Sequence, residues 1–444
     1  MIRTITAAAA ALLAANAGAA DLLTVFQEAR VQDAQYAGAK AQFIAAQELL
    51  PQGRALLLPN ASFEAGYNYN RLDIDYDSTA FQSGTRNYNA YNAGVTVTQP
   101  LYRRQNSLTY ELAKTQVQQA ESQLNLAGQE LILRVAQAYF EVLLARSNLA
   151  AVRSQKAAVA EQLEQAKRNF VVGTATITDQ REAQARYDLV VAQEIARQNE
   201  QEVAQRALEV LVGRSVDETL AGLALPIALS APQPTDMKVW VEQAYDSSLE
   251  VLLARQALEI AQQEVERQRA GHLPTLDAVG TISYSDQGSS GFGVGSTTQS
   301  AVVGLQFNLP LYQGGAVNSR TREAAAQQER TRQQLENTRR TVAQRTREAY
   351  LGVTSGLAQV NALEQAVAST QLQLESTKLG QEVGVRTAVD VLNAEQQLAQ
   401  ARSDLYQALY ATILNQLRLK AAVGKLAEGD LTDINNLLKE PVRR

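Results

Sequence analysis

The chain has 444 residues, no Cys, a single His (His272) and a formal charge of −5. Without thiols there are no disulfides, thiolate metal sites or cysteine nucleophiles, and one imidazole cannot build a multi-histidine metal centre. The charges nearly balance and no dense basic block occurs, so nucleic acid is not an expected partner. No Ser/His/Asp set, metal cluster or nucleotide loop is available, so neither an enzyme nor a cofactor is expected.

Taken in chain order, the first 20 residues read as an export signal. Arg3 supplies the positive end, Ile5 to Ala15 the apolar core, and Ala17-Gly18-Ala19 a small-residue cleavage site. The mature chain is expected to begin near Ala20 or Asp21. The apolar run is shorter than the roughly 20 residues needed to span a bilayer. No other segment is long and apolar enough for a membrane helix, so contact with a membrane would have to be made through strands.

The remainder repeats itself. Leu58-Pro59-Asn60 returns as Leu273-Pro274-Thr275, Gln99-Pro100-Leu101-Tyr102 as Leu309-Pro310-Leu311-Tyr312, and Ala138-Tyr139 as Ala349-Tyr350. Val172-Gly173-Thr174-Ala175-Thr176-Ile177-Thr178-Asp179 returns as Val383-Gly384-Val385-Arg386-Thr387-Ala388-Val389-Asp390, and Leu211-Val212-Gly213 as Ala422-Val423-Gly424. The order is kept and the offset holds, so one unit is present twice. The first copy is assigned to 21–212 and the second to 236–424. A Pro-rich linker, or equatorial segment, covers 213–235, and a C-terminal equatorial tail covers 425–444.

Each copy has the same plan. From Leu101 to Phe170 there is no Pro and only Gly128, and from Thr174 to Val212 neither occurs. Ala316 to Val383 lacks Pro, and Val385 to Val423 lacks both. Such stretches predict helices far longer than the usual 11–12 residues; a rod of about 70 residues would run roughly 100 Å. Apolar positions recur at three and four, as in Leu124, Leu131, Val135, Ala138 and Val142, which is a coiled-coil seam. Phe170–Asp179 and Gln381–Asp390 are expected to be the tips of helical hairpins.

Ahead of each long helix the period changes to two. Phe63, Ala65, Tyr67 and Tyr69 alternate with Glu64, Gly66, Asn68 and Asn70, and Tyr91, Ala93, Val95 and Val97 with Asn92, Gly94, Thr96 and Thr98. The second copy repeats this with Ala278, Ile282 and Tyr284, then Ala301, Val303, Leu305 and Phe307. Strands are expected at about 61–70 and 89–99, and at about 276–285 and 300–309, joined by polar loops over 71–87 and 286–299. About ten residues, apolar on one face and polar on the other, is the pattern of a membrane barrel strand. Tyr67, Tyr69, Tyr91, Tyr284 and Phe307 read as an interfacial aromatic girdle. Four strands cannot close a barrel, so other copies must complete it; eight strands from two copies and twelve from three both satisfy this.

The tip sequences resemble those of TolC-like outer-membrane efflux and type I secretion proteins, as do Gly271-His272-Leu273-Pro274-Thr275-Leu276-Asp277 and Leu309-Pro310-Leu311-Tyr312-Gln313-Gly314-Gly315. The likeness runs over nearly the whole mature chain. It implies a mainly α fold with membrane β-strands: a homotrimer whose twelve-stranded β-barrel continues into a twelve-helix coiled-coil tunnel. It implies a passive exit duct in the bacterial outer membrane with a large periplasmic part, gated by an iris-like opening of the coiled coils. The implied partners are a periplasmic adaptor (membrane fusion) protein and an inner-membrane pump of RND, MFS or ABC type. It also assigns residues. Asp390 matches an acidic ring at the periplasmic entrance, whereas Asn393 stands where a second acid is usual. Arg386, Thr178 and Asp179 match polar gate contacts. Gln381 stands where an aromatic latch is usual. Gly173, Thr174, Gly384 and Val385 mark the adaptor-docking tips.

Blander readings stand beside these. His272 next to Leu273-Pro274 suits a hydrogen-bonded boundary residue, and Asp390 suits a first-turn acid favoured by the helix dipole. Gly291, Gly293 and Gly295 precede a strand and not a helix, so they suit an external loop and not a phosphate cradle. A stand-alone porin would be nearly all strand, and an exported coiled-coil scaffold would lack the paired barrel strands.

Overall fold

The computed structural model describes residues 21–77, 83–174, 176–216, 220–223, 227, 229–289 and 294–439. The expected export signal at 1–20 lies outside them, as do Gly291 and Gly293. In order, the elements are α1 (Leu22–Gln32), α2 (Ala34–Gln47), α3 (Leu49–Ala55), β1 (Asn60–Ile74), β2 (Gly84–Tyr102), α4 (Arg104–Val171) and α5 (Ile177–Val212). Then come β3 (Gly222–Leu223), α6 (Met237–Ser247), α7 (Leu249–Arg269), a 3-10 turn (Ala270–His272), β4 (Thr275–Gln287) and β5 (Ser296–Asn308). The chain continues with α8 (Ala316–Glu382), α9 (Ala388–Ala422), α10 (Glu428–Asn435) and β6 (Leu438–Lys439).

The Pro-free stretches are the long helices: α4 has 68 residues, α8 67, α5 36 and α9 35. The helix ahead of each strand pair is not one rod. It breaks between α1 and α2 at Asp33 and between α6 and α7 at Ser248, 215 residues later (248 − 33). Both break residues are extended, with ψ of 117° and 131°. The Asp33 carboxylate accepts from the Tyr36 N–H at 2.6 Å, which restarts the helix. It also takes Arg134 in a fork at 3.1 and 3.2 Å. The corresponding arginine of the second copy, Arg345, goes instead to Glu250, at 2.8 and 3.0 Å.

The chain forms two compact units. One contains 1–40, 123–252 and 338–444; the other contains 41–122 and 253–337. The first is centred on Leu22, Val25, Leu131, Val135, Tyr139, Leu208, Leu409 and Ile413, all nearly or fully buried. Phe140 stacks on Tyr410 with centroids 5.0 Å apart. Here the repeat has a use that the bare sequence does not reveal. The two equivalent tyrosines both hold the segment between the copies: the Tyr139 hydroxyl donates to the Ala221 carbonyl at 2.7 Å, and that of Tyr350 donates to the Thr235 carbonyl. The segment also pairs with the tail, Gly222 with Lys439 and Leu223 with Leu438.

The second unit holds an antiparallel sheet in the order β1-β2-β4-β5. Its strands outrun the expected ones. The ladder of β1 and β2 continues from Arg71↔Asn87 to Ile74↔Gly84, and that of β4 and β5 reaches Gln287↔Ser296. Much of the two expected polar loops is therefore strand. A ladder needs backbone partners and not apolar side chains, and polar cross-strand pairs support it there, as when Thr85 Oγ1 donates to Asp73 at 3.0 Å. At the other end β2 is irregular between Pro100 and Tyr102. Just beyond, Arg103 grips the buried Asp277 of β4 through Nε at 2.8 Å and Nη2 at 2.5 Å.

Removing one partner of a buried hydrogen bond leaves the other unsatisfied, at about 1–3 kcal/mol. Tyr139 is fully buried, whereas Tyr350 is partly exposed. Tyr139→Phe should therefore lower the thermal midpoint of the detergent-solubilised protein, followed by far-ultraviolet circular dichroism, clearly more than Tyr350→Phe does. Equal shifts would show that burial of the carbonyl partner does not matter.

Candidate functional site

The two hairpin tips are built alike. At the end of α4, Gly173 takes φ +77°, its N–H donates to the Phe170 carbonyl at 3.0 Å, and the Thr174 N–H reaches the Asn169 carbonyl at 2.9 Å. At the end of α8, Gly384 takes φ +81°, its N–H donates to the Gln381 carbonyl at 3.0 Å, and the Val385 N–H reaches the Gly380 carbonyl at 2.9 Å. This pair of bonds closes a helix in the Schellman manner, and the left-handed residue in it favours glycine. Nothing lies within 4 Å of where a Cβ would stand on either glycine. Gly173, Thr174, Gly384 and Val385 are all exposed.

The returning helices begin alike too. The Thr176 hydroxyl accepts from the Asp179 N–H at 3.2 Å, while Asp179 Oδ2 accepts from the Thr176 N–H and hydroxyl, both at 2.8 Å. Thr387 and Asp390 repeat this at 3.2, 2.8 and 2.9 Å. Each is a capping box, with aspartate in the place usually held by glutamate. The N–H of the capping threonine holds each carboxyl below the usual carboxylate range. A depressed carboxyl adds cap stability that is present above its unfolded value and lost as pH falls through the folded one.

The capping role of Thr176 and Thr387 escaped the sequence reading, although Thr-x-x-Asp in both copies is the signal for it. The other site residues fall as follows. Asn393 is exposed one turn beyond Asp390, on the same side of α9. Ala394 and Leu398, on the adjoining face, are buried against Leu374. The Gln381 side chain is exposed, and its backbone carbonyl serves the turn. Arg386 does not lie one helical turn from Asp390, as its spacing suggests. Thr387 caps α9 in extended backbone at φ −95°, ψ 160°, so Arg386 stands outside the helix. Its stem folds over Gly380, where a Cβ would meet Arg386 Cγ at 2.7 Å. Within the chain, among the described residues, no hydrogen bond joins Arg386 to Thr178 or Asp179.

A second surface lies on the sheet. Its register puts Phe63, Val95, Ile282 and Ala301 in one row of the apolar face. That face is bare within the chain: Phe63 is 70% exposed and Val303 90%. Tyr67 and Tyr91 are cross-strand partners with ring centroids 5.1 Å apart, and Tyr69 and Tyr284 lie close to that level. Phe307 sits at the other end, in a row with Leu276 and Tyr102. From Leu276 to Tyr284 is eight steps along β4, about 26 Å of strand at roughly 3.3 Å per residue, which at the ~40° tilt of outer-membrane barrel strands rises about 20 Å, most of the ~25 Å apolar band between their aromatic girdles. Tyr102 shares this row, and the repeated Pro-Leu-Tyr marks it in the sequence. His272 Nε2 lies 3.0 Å from Asn318 Oδ1, a polar contact at the foot of β4. No helix of the described residues is long and apolar enough to cross a membrane.

Comparison with known proteins agrees with this geometry. Residues 25–214 and 240–425 match the model of the outer membrane efflux protein family. The chain is 35% identical over 434 residues to outer membrane protein TolC of Vibrio cholerae serotype O1, covering 97% of each. It is 31% identical to proteases secretion protein PrtF of Dickeya chrysanthemi, covering 94% of this chain and 91% of the other. The fold matches the crystal structure of the Campylobacter jejuni CmeC outer membrane channel with a TM-score of 0.79 at 16% identity, over 94% of this chain and 89% of that one. With a duplicated helical hairpin, a four-stranded sheet bare on its apolar face and both halves matching one family, the chain belongs to the outer membrane efflux proteins, and it is an outer-membrane exit duct and not an enzyme.

Proposed function

We propose that three copies form one duct. Their twelve strands close a barrel in the outer membrane, and their long helices form a coiled-coil tunnel across the periplasm. The single observation that carries this is the four-stranded sheet whose edge strands, β1 and β5, lack outer partners among the described residues while its apolar face is bare. An edge in lipid leaves N–H and C=O groups unpaired, at several kcal/mol each. Twelve strands leave a lumen, whereas eight are filled by side chains. The polar face, rich in Ser, Thr, Asn and Gly, suits water. In this reading 1–20 is a cleaved export signal, 21–212 and 236–424 are the two repeats, and 213–235 and 425–444 form an equatorial belt.

The duct is the exit of a tripartite system. A periplasmic adaptor meets the tips, and an inner-membrane pump of RND, MFS or ABC type supplies the energy. The cargo is small molecules, proteins or both; the relative named for protease secretion supports proteins. The tips are the gate. Asp390, repeated three times about one axis, lines the periplasmic entrance and favours cations, with Asn393 adding no second charge. Arg386, whose side chain makes no hydrogen bond or ion pair among the described residues, meets Thr178 and Asp179 of an adjoining hairpin and holds the entrance narrow. Gln381 provides no aromatic latch.

Two experiments test this. Asp390→Asn keeps an oxygen for the cap and removes only the charge. In planar bilayers it should lower cation selectivity and weaken block by trivalent cations, and Arg386→Ser should raise conductance; unchanged selectivity and block would remove Asp390 from the entrance. Gly384→Trp puts a bulky side chain where φ is +81° and nothing lies near. It should abolish export while a trimeric mass persists in detergent, and normal export from correctly inserted protein would refute docking at the tip.

A further inference from the structure

The polar face of the sheet carries a charge for which neither tip nor girdle accounts. Its rows are set by the register. Glu64 pairs with Gly94, Gly94 with Ser283, and Ser283 with Ser300, so these four positions cross the whole sheet at one level. The hydroxyls of Ser283 and Ser300 lie 2.7 Å apart. In the next row but one Thr96 and Thr281 are cross-strand partners whose hydroxyls lie 3.3 Å apart. Among the described residues, Glu64 is exposed and makes no hydrogen bond or ion pair. Its neighbour across the ladder is a glycine, with no side chain to cover it. The other acid on this face of the four strands, Asp277, is already gripped by Arg103. Glu64 is thus an uncompensated carboxylate whose own row across the sheet is otherwise glycine and serine; the cation of this face on β2, Arg86, lies eight residues along the ladder at Leu72.

We infer that Glu64 forms a second cation-attracting station, inside the barrel and separate from the tips, with one carboxylate from each copy at a common height and the serine hydroxyls of its row stepping away from it along the tilted sheet. The inference rests on the three-copy barrel. Twelve strands about 4.8 Å apart and tilted near 40° give a wall radius on the order of 12–15 Å. The carboxylates, reaching inward from the wall, then stand about one Debye length from the axis, and more than one from each other, at 0.1 M salt, where that length is about 10 Å. At about 0.01 M the length is roughly 30 Å and their fields overlap across the lumen. The station therefore attracts small hydrated cations in dilute salt and fades in concentrated salt. A tight site at a narrow entrance is screened much less.

The test uses the full chain in planar bilayers with the entrance charge removed by Asp390→Asn. Adding Glu64→Gln should lower the potassium-to-chloride permeability ratio about twofold or more in roughly 0.01 M salt and leave it unchanged near 1 M, where screening is complete. Because the chain has no native cysteine, orientation can be read separately. Glu64→Cys should react with a water-soluble, membrane-impermeant maleimide, whereas Phe63→Cys on the opposite face should not, with a trimeric mass confirmed for both. Reaction at 64 alone, with no change in permeability ratio at low salt, overturns the cation station and leaves the barrel intact. Equal reaction at both positions, or none at 64, overturns the barrel reading itself.

Discussion

Backbone hydrogen bonding at the sheet edges is the constraint on which the rest depends. β1 offers 15 residues of strand and β5 13, and each is paired on one side only. In water such edges can be hydrated. Here the apolar face of the same strands is bare and ends in aromatic rows, so the surroundings are lipid, and lipid offers no partners. The sheet cannot complete itself, because its other face is polar and cannot fold in on a dry core. Both faces and both edges are satisfied together only when the strands run on into further strands of the same kind. β2 leads into α4 with one residue between them. In the proposed trimer, closing the strands therefore also gathers the helices that follow them.

Duplication explains how one chain supplies four such strands with the same orientation of apolar face. Each copy solves each local problem in the same way: a left-handed glycine to stop the long helix, a Thr-x-x-Asp box to start the next, a tyrosine hydroxyl to fasten the segment between the copies. The copies part company where they serve different neighbours. Asp33 breaks its helix with a carboxylate that also takes Arg134. Ser248, at the matching break, has no charge to give, and Arg345 turns to Glu250. One arginine was kept while its partner moved by a few residues. This is what is expected if the break in the helix, and not the ion pair, is what must be preserved.

Much of this was legible in the sequence because it rests on period and on Pro and Gly. The absence of Pro from 101 to 170 and from 316 to 383 gave the rods, and alternation of Phe63, Ala65 and Tyr67 with Glu64, Gly66 and Asn68 gave the strand faces. What was not legible depends on contacts between distant residues or on backbone pairing alone. The strand extensions through Asp73 and Thr85 carry no apolar alternation, so period could not reveal them. The breaks at Asp33 and Ser248 fall at capping residue types and not at Pro or Gly, so a reading by Pro and Gly passes over them. The four-residue spacing of Arg386 and Asp390 looks like a helical turn, but Thr387 between them is a residue type that starts helices, and the helix begins after it. Glu64 was visible from the start but looked like one polar residue among several; only the register shows that it stands opposite a glycine.

In the proposed trimer, one side chain at each tip serves fold and function at once. Asp390 accepts two hydrogen bonds through a single oxygen, Oδ2. Its other oxygen has no bond within the chain, among the described residues. The cap therefore fixes the carboxylate at the start of α9 without consuming its capacity to meet a cation. The same bonds favour the ionised form, which opposes the tendency of three like charges near one axis to raise each other's pKa. A carboxylate on a free loop would have no such support, and bringing three together would tend to neutralise one of them. Asp179 has the same cap in the first copy, so the cap by itself does not select an entrance residue. What separates the two is which neighbour faces each free oxygen once the copies meet, and that is decided between chains and not within one.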